Sequence, residues 1–270
     1  MSNFTNIFMV YHYTSIKTLG LILKNRKIRF TRFDLLDDRT EVEGLPELLK
    51  KRYFLSCWVH EERENIPQWA MYASEGVRIE FPEKWYKKHP IRIAGTEKVM
   101  YNFPIPDDLH FKNMFLILPF EEYFNEEKGY TFVPPLNEED GLLTKVIYSE
   151  NYVKLKENCW SNSEDGNIIK VVHEAAPIKF KDSYWSFQNE IRYYIQAVVK
   201  NEDVDKLPQF LDVEISDEAL HLIKVKLYPN CSEENKLLVE SLLKNFLPDI
   251  DLSLSIERSR LDGKYRPKNT

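Results

Sequence analysis

The chain has 270 residues, 43% of them hydrophobic and 30% charged, with a net charge of −6. A protein of this size and composition buries its own core without disulfides or metal, which excludes disorder. The acidic balance excludes a bulk electrostatic grip on nucleic acid and leaves only a local basic patch for that purpose.

The amino-terminal MSNFTNIFMVYHYT lacks the basic and apolar regions of a signal peptide. No apolar run approaches the roughly 20 residues of a membrane span. Cys57, Cys159 and Cys231 are odd in number and show no C-x-x-C spacing, which predicts a reducing compartment. A cytoplasmic protein without a membrane partner is the expectation.

Residues 8–14, β-branched and aromatic, predict a first strand, and Ser15 caps a helix whose Ile16, Leu19, Ile22 and Leu23 recur at helical spacing. A short strand follows at 28–31, then an acidic turn from Asp34 to Glu41 and a helix near 44–52. Residues 53–59 predict a third strand. Asn65 and Pro67 open a short helix through QWAMYA that ends at Gly76. Residues 77–81 alternate as a fourth strand. The segment 104–142, with five prolines and the acidic clusters EEYFNEE and NEED, predicts a partly helical insertion or lid. Strands are expected at 145–149, 191–199, 221–229 and 250–256, with a helix from Ser232 to Phe246. No repeat or linker divides the chain, so one domain is expected.

Phosphate-binding and dinucleotide-binding glycine patterns are missing, as are H-E-x-x-H and G-x-S-x-G. Cys57 and His60 form a half-site for zinc only in name, because alternation along a strand points them to opposite faces. Glu190 opens the most β-prone run, and extended backbone would place Gln188, Glu190 and Arg192 on one face. The alternative is a plain Glu190–Arg192 ion pair. His12 and Thr14 share a face of the first strand and need polar partners, whether a bound sugar, water or a loop. Trp69, Tyr72 and Ala73 fall on one helical face, either as core or as an aromatic wall for a flat ring. Arg29 and Arg32 could meet phosphates or pair with Asp37, Asp38 or Glu41.

These pieces follow a fixed order: H-Y-T-S (12–15), I-L-K-N-x-x-I-R-F (22–30), S-C-W (56–58), W-A-M-Y-A (69–73), G-V-R-I-E-F (76–81), Y-W-S-F-Q-N-E-I-R (184–192) and S-R-L-D-G-K-Y-R (259–266). In that order they resemble a bacterial family catalogued as a domain of unknown function, over nearly the whole chain except about 100–145. Asp37-Asp38-Arg39 departs from the Asn-Asp-Pro of that pattern. The family in turn resembles the ADP-ribosyltransferase superfamily, through a His on the first strand, an aromatic helix in the middle and a Glu opening a late strand. Gln188-Asn189-Glu190 also matches the Gln-x-Glu motif of many mono-ADP-ribosyltransferases.

The resemblance implies an α+β fold: a split, mainly antiparallel mixed sheet with flanking helices, ADP-ribosyltransferase-like, as a single domain 1–270 with the lid or insertion at about 104–142. It also implies an NAD-dependent ADP-ribosyltransferase of bacterial toxin or phage-defence type, with NAD as substrate and no metal. In that scheme Glu190 stabilises the oxocarbenium-like transition state and Gln188 positions the accepting nucleophile. His12 and Thr14 hold the ribose, Trp69 or Tyr72 flanks the nicotinamide, and Arg29 meets the pyrophosphate. The acceptor would be a macromolecule, nucleic acid favoured slightly over protein, and an antitoxin or inhibitor protein is an expected partner. The basic tail (Arg258, Arg260, Lys264, Arg266, Lys268) is compatible with phosphate contact. The alternatives are an NAD glycohydrolase, with water as acceptor, and a non-catalytic module that binds a nucleotide or a partner protein. A nuclease finds no support, for want of paired acidic metal ligands.

Overall fold

In the computed structural model, residues 8–92, 99–100, 103–104, 113–123, 126–135, 142–162 and 169–264 are described. Strand β1 (Met9–Thr14) leads into helix α1 (Ile16–Asn25), where the Ser15 hydroxyl accepts from the Thr18 amide at 3.0 Å. The face Ile16, Leu19, Ile22 and Leu23 is buried, as its spacing requires. Strand β2 (Lys27–Arg32), helix α2 (Glu47–Lys51) and strand β3 (Tyr53–Val59) follow. Helix α3 (Ile66–Tyr72) starts where the Asn65 side chain accepts from the Gln68 amide at 3.1 Å. Strand β4 (Val77–Pro82) then runs antiparallel to β1. The turn between α3 and β4 needs a glycine, because a Cβ on Gly76 would lie 2.2 Å from the Thr14 carbonyl oxygen.

A ten-stranded sheet carries the fold. Its central order is Leu143–Lys145, Glu190–Val199, β3, β1, β4, Lys224–Leu227 and Ile256–Glu257. The pairs are antiparallel except the last, which is parallel, so the molecule is α+β with a mainly antiparallel mixed sheet and helices. One edge of β3 pairs with Glu190–Val199 from Glu190↔Val59 to Gln196↔Tyr53. The other edge is shared: β2 takes its start, at Thr31↔Leu55 and Arg32↔Phe54, and β1 takes its end, at Tyr11↔Val59. Between them the sheet parts, and Ser56, Cys57 and Trp58 have no strand partner on that edge.

The main core gathers around Trp58, Phe81, Trp85 and Tyr193. A second cluster holds Phe33, Leu49, Tyr53 and Tyr194, and a third holds Tyr11, Tyr13, Val59, Trp69 and Tyr228. Among the described residues no helix is long and apolar enough to cross a membrane.

Several expectations change. The described parts of 104–142 pack into the main core: Phe115 to Leu118, Tyr123 and Phe132 are buried there, and Phe115 stacks on Tyr86 with ring centres 5.8 Å apart. Residues 105–112, 124–125 and 136–141 of that segment lie outside the described residues. The strand expected at 145–149 is two short ones, Leu143–Lys145 in the main sheet and Ile147–Tyr148 parallel to Phe180–Lys181. The strand expected at 221–229 is confined to Lys224–Leu227, because Ser216 caps a helix over Asp217–His221 with two acids in its first turn. The strict alternation at 250–256 gives a helical turn, Leu252–Ser255. There Asp251 accepts from the Ser253 amide at 2.9 Å and caps the turn, which leaves Leu254 71% exposed while Ile250, Leu252 and Ile256 pack against the main core.

Candidate functional site

Glu190 is reached through a tight local structure. Asp182 accepts from the Tyr184 amide at 2.9 Å and starts a 3₁₀ turn over Ser183–Gln188. Asn189, at φ 43°, then takes the left-handed conformation that Asn tolerates better than most residues. The chain turns there into the strand Glu190–Val199. Gln188 is therefore not in extended register with Glu190, contrary to expectation, and reaches the same place from the end of the turn.

The Glu190 carboxylate belongs to a buried charge network. Arg192 Nε donates to Oε1 at 2.6 Å and Lys181 Nζ to Oε2 at 3.2 Å. Glu41, itself 1% exposed, pairs with Lys181 at 3.3 Å and with Arg192. Arg192 also donates to the Ile178 carbonyl at 2.7 Å, and the Glu190 amide donates to the Tyr148 hydroxyl at 2.9 Å. Burial alone would raise the pKa of Glu190. The charges of Arg192 and Lys181 outweigh burial, so the carboxyl is held down to about 2. The in-strand Glu190–Arg192 pair is thus present, as part of a larger cluster.

The groups that face it, His12, Cys57, Tyr72 and Gln188, are uncharged side chains, with Asp37 beside them. His12 Nδ1 lies 3.0 Å from the Cys57 carbonyl, in the gap where β3 lacks a strand partner. A carbonyl only accepts, so Nδ1 carries the proton and Nε2 is left as an acceptor. Burial lowers the His12 pKa, partly opposed by that bond, which keeps the ring uncharged at neutral pH. Burial, and then Glu190, push the Cys57 thiol well up, so Cys57 is no thiolate nucleophile. On α3, Tyr72 receives a bond of 2.6 Å from Gln188 Nε2, and Gln68 Nε2 donates to the Gln188 carbonyl at 3.1 Å.

These groups enclose one cavity in the parting of the sheet. His12, Asp37, Cys57, Tyr72, Gln188 and Glu190 are among its walls. About 110 Å³ is open to water centres.

Of the residues selected from sequence, the cavity brings together His12, Tyr72, Gln188 and Glu190. Trp69 does not join them: it is fully buried in the third cluster, edge-on to Tyr13 and Tyr228, with its indole N–H donating to Glu64 at 3.2 Å. Thr14 is buried but does not line the cavity, and Arg29 lies outside it too. Arg29 pairs with Asp212 at 3.0 Å and stacks on Phe210 at 3.7 Å, because β2 is bound along Phe210–Glu214. Arg32 pairs with Asp34 at 2.7 Å. In the basic tail Arg258 pairs with Glu233 at 3.0 Å and Arg260 with Glu62 at 2.6 Å, while Arg266 and Lys268 lie outside the described residues.

Sequence reasoning missed Lys181 and Gln68, and offered Asp37 and Glu41 only as partners for Arg29 or Arg32. Lys181, Glu41 and Gln68 meet Glu190, Arg192 and Gln188 only once the strands are paired. Among the described residues no cluster of three or more His, Cys, Asp or Glu is placed to hold a metal ion. No family model, curated protein or solved structure matches this chain.

Proposed function

We propose that the protein cleaves the nicotinamide–ribose bond of NAD and transfers ADP-ribose to a macromolecular acceptor. One observation carries the reading: a carboxylate kept ionised at the head of a buried strand shares a small cavity with His12, Tyr72 and Gln188, brought from three distant parts of the chain. Breaking that bond develops positive charge on the ribose. Glu190 answers with fixed negative charge, and its oxygens have lone pairs left after the bonds to Arg192 and Lys181. Neutral His12 offers Nε2 to a sugar hydroxyl, and the Tyr72 ring forms a wall for the base. The acceptor enters over the rim and meets Gln188.

A second reading, a nucleotide-binding module without turnover, draws on the pairing of Glu190 with two cations, which offsets the charge available to a transition state. Nicotinamide release from NAD separates the two. The transferase reading expects release by the wild type and a loss of about 10²–10³ in rate in Glu190→Gln. Because Glu190 is buried and ion-paired, that variant is compared beside a melting curve and beside Gln188→Ala, which leaves the charge network intact. NAD binding without release would establish the module. Labelled NAD in a cell lysate then shows whether nucleic acid, protein or water takes the ADP-ribose.

A further inference from the structure

The carboxy-terminal motif S-R-L-D (259–262) lines no wall of the cavity, yet it is tied down along its length. The hydroxyl of Ser259, a residue only 5% exposed, donates to Glu64 Oε1, and the Arg260 amide donates to Glu64 Oε2 at 2.8 Å. The Arg260 guanidinium adds a bond to Glu62 at 2.6 Å. Leu261, like Tyr72, packs against the third cluster. Asp262 accepts from the Asn230 amide at 2.7 Å, and the Gly263 amide donates to the Asn230 side chain at 2.8 Å. Residues near a terminus keep a fixed place only when tied down in this way.

What the segment holds is a loop that joins the walls of the cavity. Residues 60–65 form neither strand nor helix, so side-chain bonds fix their place. Glu64 Oε1 also accepts from the Trp69 indole at 3.2 Å, which ties the loop to α3. The neighbouring Asn65 caps α3 by accepting from the Gln68 amide. Its Nδ2 donates to the Phe187 carbonyl at 2.5 Å, and its backbone amide donates to the Tyr13 hydroxyl at 3.0 Å. Gln68 and Tyr72 on α3, Gln188 just after Phe187, and Tyr13 on β1 all line the cavity. One carboxylate, through charge-assisted bonds to both of its oxygens, thus connects the carboxy-terminal segment to the loop that braces three cavity walls. We infer that Glu64 is a positioning residue for the site, held by Ser259 and Arg260, so that the carboxy-terminal segment is a strap that keeps α3 closed against the cavity. Its effect on a reaction rests on the cavity being the substrate site; its effect on the shape of the cavity does not.

Two thiols report the outcome on the intact protein. Cys57 lines the cavity, whereas Cys159 is buried outside it, with its thiol against the Leu155 carbonyl. Alkylation by N-ethylmaleimide is followed at each thiol by peptide mass spectrometry, so local opening and general loosening are read separately. Losing a hydrogen bond to a charged group makes local opening more frequent, and Ser259→Ala and Glu64→Gln are each expected to speed Cys57 labelling about tenfold with Cys159 unchanged. The double variant should match Glu64→Gln alone, because both substitutions act through one carboxylate. Unchanged Cys57 labelling in either single variant overturns the strap. So does an equal rise at Cys57 and Cys159, or a double variant in which the two effects multiply. Nicotinamide release from NAD is followed on the same samples. Faster Cys57 labelling in Ser259→Ala together with a raised KM for NAD supports the strap as part of the reacting site. Faster labelling with no release by wild type leaves the strap and removes the ADP-ribosyl chemistry. Release by wild type with unaltered labelling in the variants removes the strap and leaves that chemistry.

Discussion

On one wall of the cavity side chains are held by buried ion pairs, on the other mainly by hydrogen bonds between uncharged groups. Glu190, Arg192, Lys181 and Glu41 are almost wholly buried and depend on one another. His12 has one bond to a backbone carbonyl, and Gln188 and Tyr72 have one bond between them. Desolvated charges are costly to leave unpaired, whereas a neutral bond exchanged with water changes little. The charged wall therefore sets stability as well as chemistry, and the neutral wall is free to set recognition.

The largest effect should come from breaking the charged wall at Arg192. Arg192→Leu leaves Glu41 and Glu190 buried with Lys181 alone between them, and should destabilise the fold by about 3–5 kcal/mol. Tyr72→Phe leaves the buried Gln188 amide without its partner and should cost less, about 1–3 kcal/mol. Urea denaturation of the two variants measures the contrast directly; equal losses would abolish the distinction between the walls.

Acid probes the same wall without a mutation. The folded pKa of Glu190 is about 2, below that of a free carboxyl near 4.5. The stability it contributes is therefore complete above the unfolded value and is lost as pH falls from there through the folded value. The melting temperature should drop over that window, with a shallower drop in Glu190→Gln. Lys156 tests the opposite direction. It donates to the Glu41 backbone carbonyl, and burial, only partly offset by the Glu41 charge, lowers its pKa to about 7. Between about 7 and the ordinary lysine value of 10.5 the unfolded chain holds a proton that the folded one lacks, so raising the pH favours folding. Lys156→Met should flatten the rise in melting temperature between pH 7 and pH 10. A rise of the same size in the variant would assign it to other groups.

Local signals located most of the elements. Ser15, Asn65 and Ser232 cap helices where their spacing predicted, and the aromatic and apolar runs at 53–59 and 191–199 pair with each other. Alternation failed at 250–256, where the Asp251 cap competed with it and only Ile256 enters a strand. In the candidate site, Glu190 and His12 were legible because each stands out as a polar group on an apolar strand. The turn at Asn189 was not, since a left-handed residue breaks the extended spacing on which the Gln188 reading rested. Trp69 and Tyr72 show the limit of helical periodicity: they share a stripe, yet one end of it packs under β1 and the other opens on the cavity. The charged partners, Glu41 and Lys181, arrive from loops and short strands whose approach is fixed only by the assembled sheet.

The smallest effect belongs to Arg29. The expectation drawn from sequence gives it the pyrophosphate, whereas the structure gives its guanidinium to Asp212 and to the face of Phe210, on the side of β2 bound to Phe210–Glu214. Both partners are substantially exposed, Arg29 at 56% and Asp212 at 36% of their side chains. Water screens such a pair, and an exposed cation–π contact adds little, so Arg29→Ala should cost at most about 1 kcal/mol. If the cavity in the parting of the sheet is where NAD reacts, the same substitution should leave the KM for NAD and the rate of nicotinamide release unchanged. A rise of tenfold or more in KM with an unaltered melting curve would mean that the dinucleotide runs from the cavity along β2, and that Arg29 leaves Asp212 to hold it.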